Sequence, residues 1–235
     1  MSSTVPWHTV LKRICFTLIF VTAGCVTVYA QDETENEIWP EINVFVPLNE
    51  KFRLMFLASV TKSRETQNTT EGTLGAHLDY FWNRRLTLRA GYRRISALNS
   101  DDPYIEHRMI TEQTLRFPLK EQILLTDRNR QDFRWMRGDF SFRYRNRLTV
   151  EKEYHLFGRP LTPYGSAEVY FDSRFSTFNR YRFVGGIQIS KKPAQPWLHI
   201  LRKERVWDIY YLRQEDTRSE PKHVNALGIT FSIHF

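Results

Sequence analysis

The chain ends on residues 227–235, L-G-I-T-F-S-I-H-F. Leu227, Ile229, Phe231, Ile233 and Phe235 are apolar, and Gly228, Thr230, Ser232 and His234 lie between them. Successive side chains of a strand point to opposite sides, so this alternation predicts a β-strand with one oily and one polar face. The last residue is an aromatic, where termini of soluble domains tend to be polar and loose.

The pattern recurs upstream. Leu74, Ala76, Leu78 and Tyr80 alternate with Gly75, His77 and Asp79. After the short turn Trp82-Asn83-Arg84, Leu86, Leu88, Ala90 and Tyr92 alternate with Arg85, Thr87, Arg89, Gly91 and Arg93. A helix would group the apolar residues three and four apart; period two reads as a hairpin. In residues 139–151, Phe140, Phe142, Tyr144, Leu148 and Val150 share a face interrupted by Asn146. Ser141, Arg143, Arg145, Arg147, Thr149 and Glu151 share the other. Residues 164–171 oppose Ala167, Val169 and Phe171 to Ser166, Glu168 and Tyr170. Residues 179–190 oppose Tyr181, Phe183, Ile187 and Ile189 to Arg180, Arg182, Val184, Gln188 and Ser190. Strands are also read at 51–61, 123–132 and 206–213, with a weaker one at 106–117, giving about ten from Lys51 onward and 39–46 as a possible further one. Residues 158–163 read as a turn, and 191–205, with Pro193 and Pro196, as an irregular basic connection. Pro47-Leu48-Asn49-Glu50 and Pro118-Leu119-Lys120-Glu121 suggest similar turns at one end of the fold.

The front of the chain is different. Lys12 and Arg13 precede an uncharged stretch, 14–30, that ends Val28-Tyr29-Ala30. A basic segment, an apolar segment and small residues at its end read as a secretory signal peptide over 1–30, cleaved between Ala30 and Gln31. Residues 31–37 are acidic and read as a loose segment, and 38–235 as one barrel domain. Both cysteines, Cys15 and Cys25, fall in the leader, so the exported part has neither disulfide nor thiol chemistry. If such a chain crosses a membrane, it does so as a closed barrel, because only helices and barrels satisfy every backbone group in lipid.

These elements make an all-β fold: an antiparallel transmembrane barrel of about ten strands, within eight to twelve. Shared over ten strands, the exported part of the 235 residues gives about twenty per strand and connection, against about 9–11 for a membrane-crossing strand. The closing strand resembles those of bacterial outer-membrane barrels. That resemblance implies that Phe231, Ile233 and Phe235 are the assembly signal read by the barrel-assembly machinery. It also implies outer-membrane lipids as surroundings and the bacterial outer membrane as location. Aromatics near strand ends, such as Tyr80, Trp82, Tyr92, Trp135, Tyr144, Tyr154, Tyr164, Trp207 and Tyr211, suit the headgroup level. The mean hydropathy of −0.49 is no obstacle, since a barrel turns one face to lipid.

Arg143-Tyr144-Arg145-Asn146-Arg147, then Pro163-Tyr164 leading to Glu168-Val169-Tyr170, then Asn179-Arg180-Tyr181-Arg182, resemble the bacterial proteins of domain-of-unknown-function family 2490. The resemblance covers nearly the whole exported chain. It implies an outer-membrane-type barrel and carries over no catalytic residue.

No catalytic motif, metal-ligand spacing or cofactor motif is present, and no catalytic residue, metal or cofactor is assigned. Ser232 and His234 share a face, a chance spacing more often than a nucleophile with its base. The charged face is the candidate site: Arg85, Arg89, Arg93, Arg143, Arg145, Arg147, Glu151, Glu168, Arg180 and Arg182 are read as lumen-facing, with Asp79 and Glu112 as further partners. These arginines admit two readings. One is a lumen filled by ion pairs, since an unpartnered buried charge is costly. The other is a narrow channel whose positive wall prefers anions. A lipid-modifying hydrolase and a soluble periplasmic β-barrel binding protein are the alternatives. The net charge of +8 does not point to nucleic acid, because export and strand-spaced arginines argue against it.

Overall fold

The computed structural model describes residues 34–63, 69–99, 103–156, 159–191 and 204–235. The leader, its cleavage site at Ala30 and Gln31, and most of the basic connection at 191–205 lie outside them. The strands are β1 (Thr34–Pro47), β2 (Phe52–Lys62), β3 (Thr70–Phe81), β4 (Leu86–Ala97), β5 (Ile105–Pro118) and β6 (Ile123–Met136). They continue as β7 (Asp139–Lys152), β8 (Tyr154–Leu156), β9 (Arg159–Asp172), β10 (Thr177–Lys191), β11 (Glu204–Asp216) and β12 (His223–His234).

Eleven of these close into a barrel; β8 is a three-residue flap on β9. Neighbours pair antiparallel around the ring except at the seam, where β12 lies parallel to β1 from Thr34 opposite His223 to Phe45 opposite His234. Parity explains the exception to the antiparallel expectation. An up-and-down meander with an odd number of strands leaves its first and last running the same way, so its closure must be parallel.

Two boundaries differ from the sequence reading. Thr34 to Glu37, read as loose, belong to β1, because the ladder to β12 extends over them. Residues 159–163, read mostly as turn, open β9 despite Pro160 and Pro163. β8 pairs with β9 only up to Leu161 and β7 only from Tyr164 onward, so Pro163 sits where that side of the strand has no partner, while Pro160 stands opposite His155 of the short β8. The two Pro-Leu-x-Glu turns close at the same barrel end, with the same bond: Leu48 N–H donates to Phe52 O at 2.9 Å, and Leu119 N–H to Ile123 O at 2.8 Å.

The wall is sided, apolar outward and charged inward. Ile38, Leu74, Phe140 and Phe183 point outward, exposed by 68%, 66%, 57% and 54%. Asp79, Asp132 and Asp172 point inward and are 0% exposed. A soluble barrel has a dry interior and wet exterior; this one is reversed.

The interior is apolar in one sector near the seam. There Val184, Leu212 and Ala226 are buried against Trp39, Tyr164 and Tyr210. The Tyr210 ring lies over Gly228 of β12, and a Cβ at 228 would collide with it. Gly228→Ala therefore displaces Tyr210 and is expected to lower stability by about 1–3 kcal/mol. A drop in the urea midpoint at unchanged slope is the readout; no drop would mean that the ring swings aside freely.

Candidate functional site

Strand register builds the site. Directly opposed residues on one face of an antiparallel pair lie close enough to interact. One inward row runs through successive ladders: Arg53, Asp79, Arg89, Glu112, Arg130, Arg145, Tyr170, Arg180 and Asp216, each opposite the next. Charges alternate along it from Arg53 to Arg130 and again from Arg180 to Asp216.

The bonds follow the row. Arg53 Nη2 lies 2.6 Å from Asp79 Oδ2, and Arg89 Nε lies 2.5 Å from Asp79 Oδ1. Arg89 continues to Glu112 at 3.7 Å, and Glu112 to Arg128 at 3.9 Å. Arg128 and Arg147 then hold the two oxygens of Glu168 at 3.1 and 2.8 Å. The row sets Arg130 beside Arg145, which would repel. Asp132 resolves this by bonding Arg130 and Arg145, each at 2.7 Å.

Toward the other end, Glu106 binds Arg108 at 2.6 Å and Arg134 at 2.7 Å. Asp172 gathers Arg143 at 2.6 Å, Arg174 at 2.9 Å and Arg134 at 3.5 Å. Arg180 meets Asp216 at 2.5 Å. Tyr170 stands among these groups, 1% exposed. Its hydroxyl donates to Glu168 at 2.7 Å, and the guanidinium carbons of Arg145 and Arg182 lie 4.8 and 4.9 Å from its ring centre.

The charged residues read from sequence fall as follows. Arg89, Arg93, Arg143, Arg145, Arg147, Glu168, Arg180 and Arg182 lie on the inward face, and Glu151 lines a cavity of 550 Å³ at the end that holds the Pro-Leu-x-Glu turns. Arg93 reaches His77 Nε2 at 3.2 Å. Arg85 differs: it lies in the β3–β4 turn and is exposed, because β4 begins at Leu86. Phe231, Ile233 and Phe235 share the outward side of the last strand, where Phe231 packs on Trp207 with ring centres 4.5 Å apart. Ser232 and His234 face inward, and His234 stacks on Phe45 at 4.4 Å. Tyr164, grouped with the strand-end aromatics, also points inward and donates to Asp208 at 3.0 Å.

Sequence reading missed Arg53, Glu106, Arg108, Arg128, Arg130, Asp132, Arg134, Asp172 and Asp216. The signal was present as Arg128-x-Arg130-x-Asp132-x-Arg134 on one face of β6. It was masked because the opposite face carries Asp127, Asn129 and Gln131 where the apolar residues were expected.

Among the described residues no helix is long and apolar enough to cross a membrane, which says nothing of crossing by strands. No curated protein and no solved structure matches the chain. A family model described as "Protein of unknown function (DUF2490)" matches residues 36–195, from the first strand past the end of β10 and through all three sequence motifs quoted above. With more than half of its length matched, the chain belongs to that family.

Proposed function

We propose that this chain is a membrane-spanning β-barrel of the bacterial outer-membrane type, exported by its N-terminal leader and closed at rest by the ion pairs inside it. The observation that carries the reading is the reversed wall. Water-soluble barrels do not leave Leu, Ile and Phe outward on strand after strand while burying arginine and aspartate. In lipid the same arrangement is favourable, because the outer residues meet hydrocarbon and most of the buried charges keep an opposite partner. In this reading Phe231 and Ile233 of β12, with Phe235 just after it, form the signal that the assembly machinery reads; their outward, apolar character supports it.

The packed interior favours a closed barrel over a free-diffusion pore. Barrels of about eight strands are just wide enough for side chains to fill. Eleven strands enclose more, and here the extra width is taken by arginine, tyrosine and carboxylates that reach one another. An anion path along Arg145, Arg180 and Arg182 exists in such a barrel once Tyr170 leaves it. The biological role is thus that of a gated or structural wall element, with its selectivity set by guanidinium groups.

Refolding tests the reading. The exported chain is expected to fold into liposomes and to migrate differently on a gel before and after boiling. Ile229 lies outward between Ile209 and Pro40. Ile229→Arg is expected to lower the stability of the inserted barrel by about 2–4 kcal/mol, the cost of a cation at the bilayer middle. A chain that folds in water without detergent or lipid, or an Ile229→Arg variant as stable as its parent, would refute membrane insertion.

A further inference from the structure

The apolar outer wall is interrupted at mid-strand in one sector. Where β5, β6 and β7 lie side by side, Gln113, Asp127, Asn129, Gln131, Tyr144 and Asn146 point outward. Outward charges elsewhere, such as Arg94, Arg205 and Glu215, sit near strand ends. This group sits in the middle of β6, with Gln113 opposite Asn129, Asn129 opposite Asn146, and Gln131 opposite Tyr144.

The group is organised. Asn146 Nδ2 donates to Asp127 Oδ1 at 2.6 Å and to Asn129 Oδ1 at 3.1 Å. Asn129 Nδ2 donates to the other Asp127 oxygen at 3.2 Å. The Tyr144 hydroxyl donates to Asn129. Thr111 donates to Gln131 at 2.9 Å, and Gln131 donates to Gln113 at 3.4 Å. The single formal charge, Asp127, is thereby held by amides of its own chain. What remains for a neighbour is the second N–H of Asn129, the Oδ1 of Asn146, and both donor and acceptor capacity on Gln113 and Gln131, so the patch can donate and accept.

We infer that this patch is the contact surface between two copies of the chain lying side by side in the bilayer. The inference rests on the membrane reading, since in water such a patch needs no partner. In hydrocarbon, polar side chains left without a partner are costly, and Asn and Gln hydrogen-bond across contacts between membrane segments. A two-fold contact sets a patch against its own copy, so the patch must be self-complementary. Amides meet that condition. A partner bearing acidic groups would instead confront Asp127, and the patch holds no cation to receive them.

Sedimentation of the full chain in detergent, with liposome flotation run in parallel, is the test. The expected result is a dimer. In the Asn129→Leu/Asn146→Leu double variant its dissociation constant rises roughly tenfold, while flotation and heat-modifiable migration persist. With Cys15 and Cys25 changed to serine, Gln131→Cys is expected to form a disulfide-linked dimer and Ile229→Cys is not. An inserted monomer, a dimer indifferent to the double variant, or cross-linking through 229 instead would overturn the inference alone. Failure of the parent chain to float with liposomes would overturn the membrane reading and this inference with it.

Discussion

Asp172→Asn is expected to lower the unfolding free energy of the barrel by about 3–5 kcal/mol, the usual penalty for removing one partner of a buried ion pair. Asp172 is 0% exposed, and Arg143, Arg174 and Arg134 converge on it at 2.6, 2.9 and 3.5 Å. Asparagine keeps the size but not the charge. Its amide nitrogen adds a donor where guanidinium groups already supply donors, so at least one arginine is left buried without an acceptor. The loss is a penalty for the stranded cations, and it is larger than the net worth of the pairs themselves.

Glu215→Gln is the comparison. Glu215 sits outward with its side chain 48% exposed, and its partner Arg213 is 4.0 Å away. Exposed pairs contribute about 0–1 kcal/mol, so this change is expected to stay within about 0.5 kcal/mol. Denaturant unfolding in one lipid or detergent system reads both. Equal midpoint shifts for the two variants would mean that water reaches the interior and screens Asp172, and the closed-barrel reading would fall.

The sequence announced most of the wall and less of the interior. Strands with a long apolar outward run, such as Leu86 to Tyr92 in β4, Tyr181 to Ile189 in β10 and Leu227 to Ile233 in β12, were legible from period two alone. The alternation in β5 and β6 is weak because His107, Thr111, Gln113, Asp127, Asn129 and Gln131 stand on their outward faces, and alternation of polar with polar carries no signal. The inward residues of those two strands were lost with them, among them Glu106, Arg130, Asp132 and Arg134. Parity of the strand count, and with it the parallel seam, rests on one strand more or less, which turn residues do not settle. Ion-pair partners were beyond reach for a different reason. Arg147 meets Glu168 through the β7–β9 register, which skips the β8 flap, and register across a skipped element cannot be read from local pattern.

Tyr170→Ala is expected to turn a silent barrel into a conducting one. The parent chain, refolded and added to a planar bilayer, is expected to give no steady current, because the interior at this level is occupied. Tyr170 is the piece whose removal opens most. Its ring carries Arg145 on one strand and Arg180 and Arg182 on another, at 4.8, 5.7 and 4.9 Å, and its hydroxyl holds Glu168. Alanine removes the platform and leaves a cavity edged by guanidinium groups, so discrete steps that favour anions are expected. Tyr170→Phe keeps the ring and is expected to stay silent. Adding Arg182→Glu to Tyr170→Ala removes a positive wall group and is expected to abolish the anion preference while the steps remain. Steady current through the parent chain would show that the ion pairs line a pore and do not fill it. Silence in Tyr170→Ala, with the barrel still folded and inserted, would place the closure elsewhere, with the next variant at Trp39, whose ring lies 4.9 Å from Arg182.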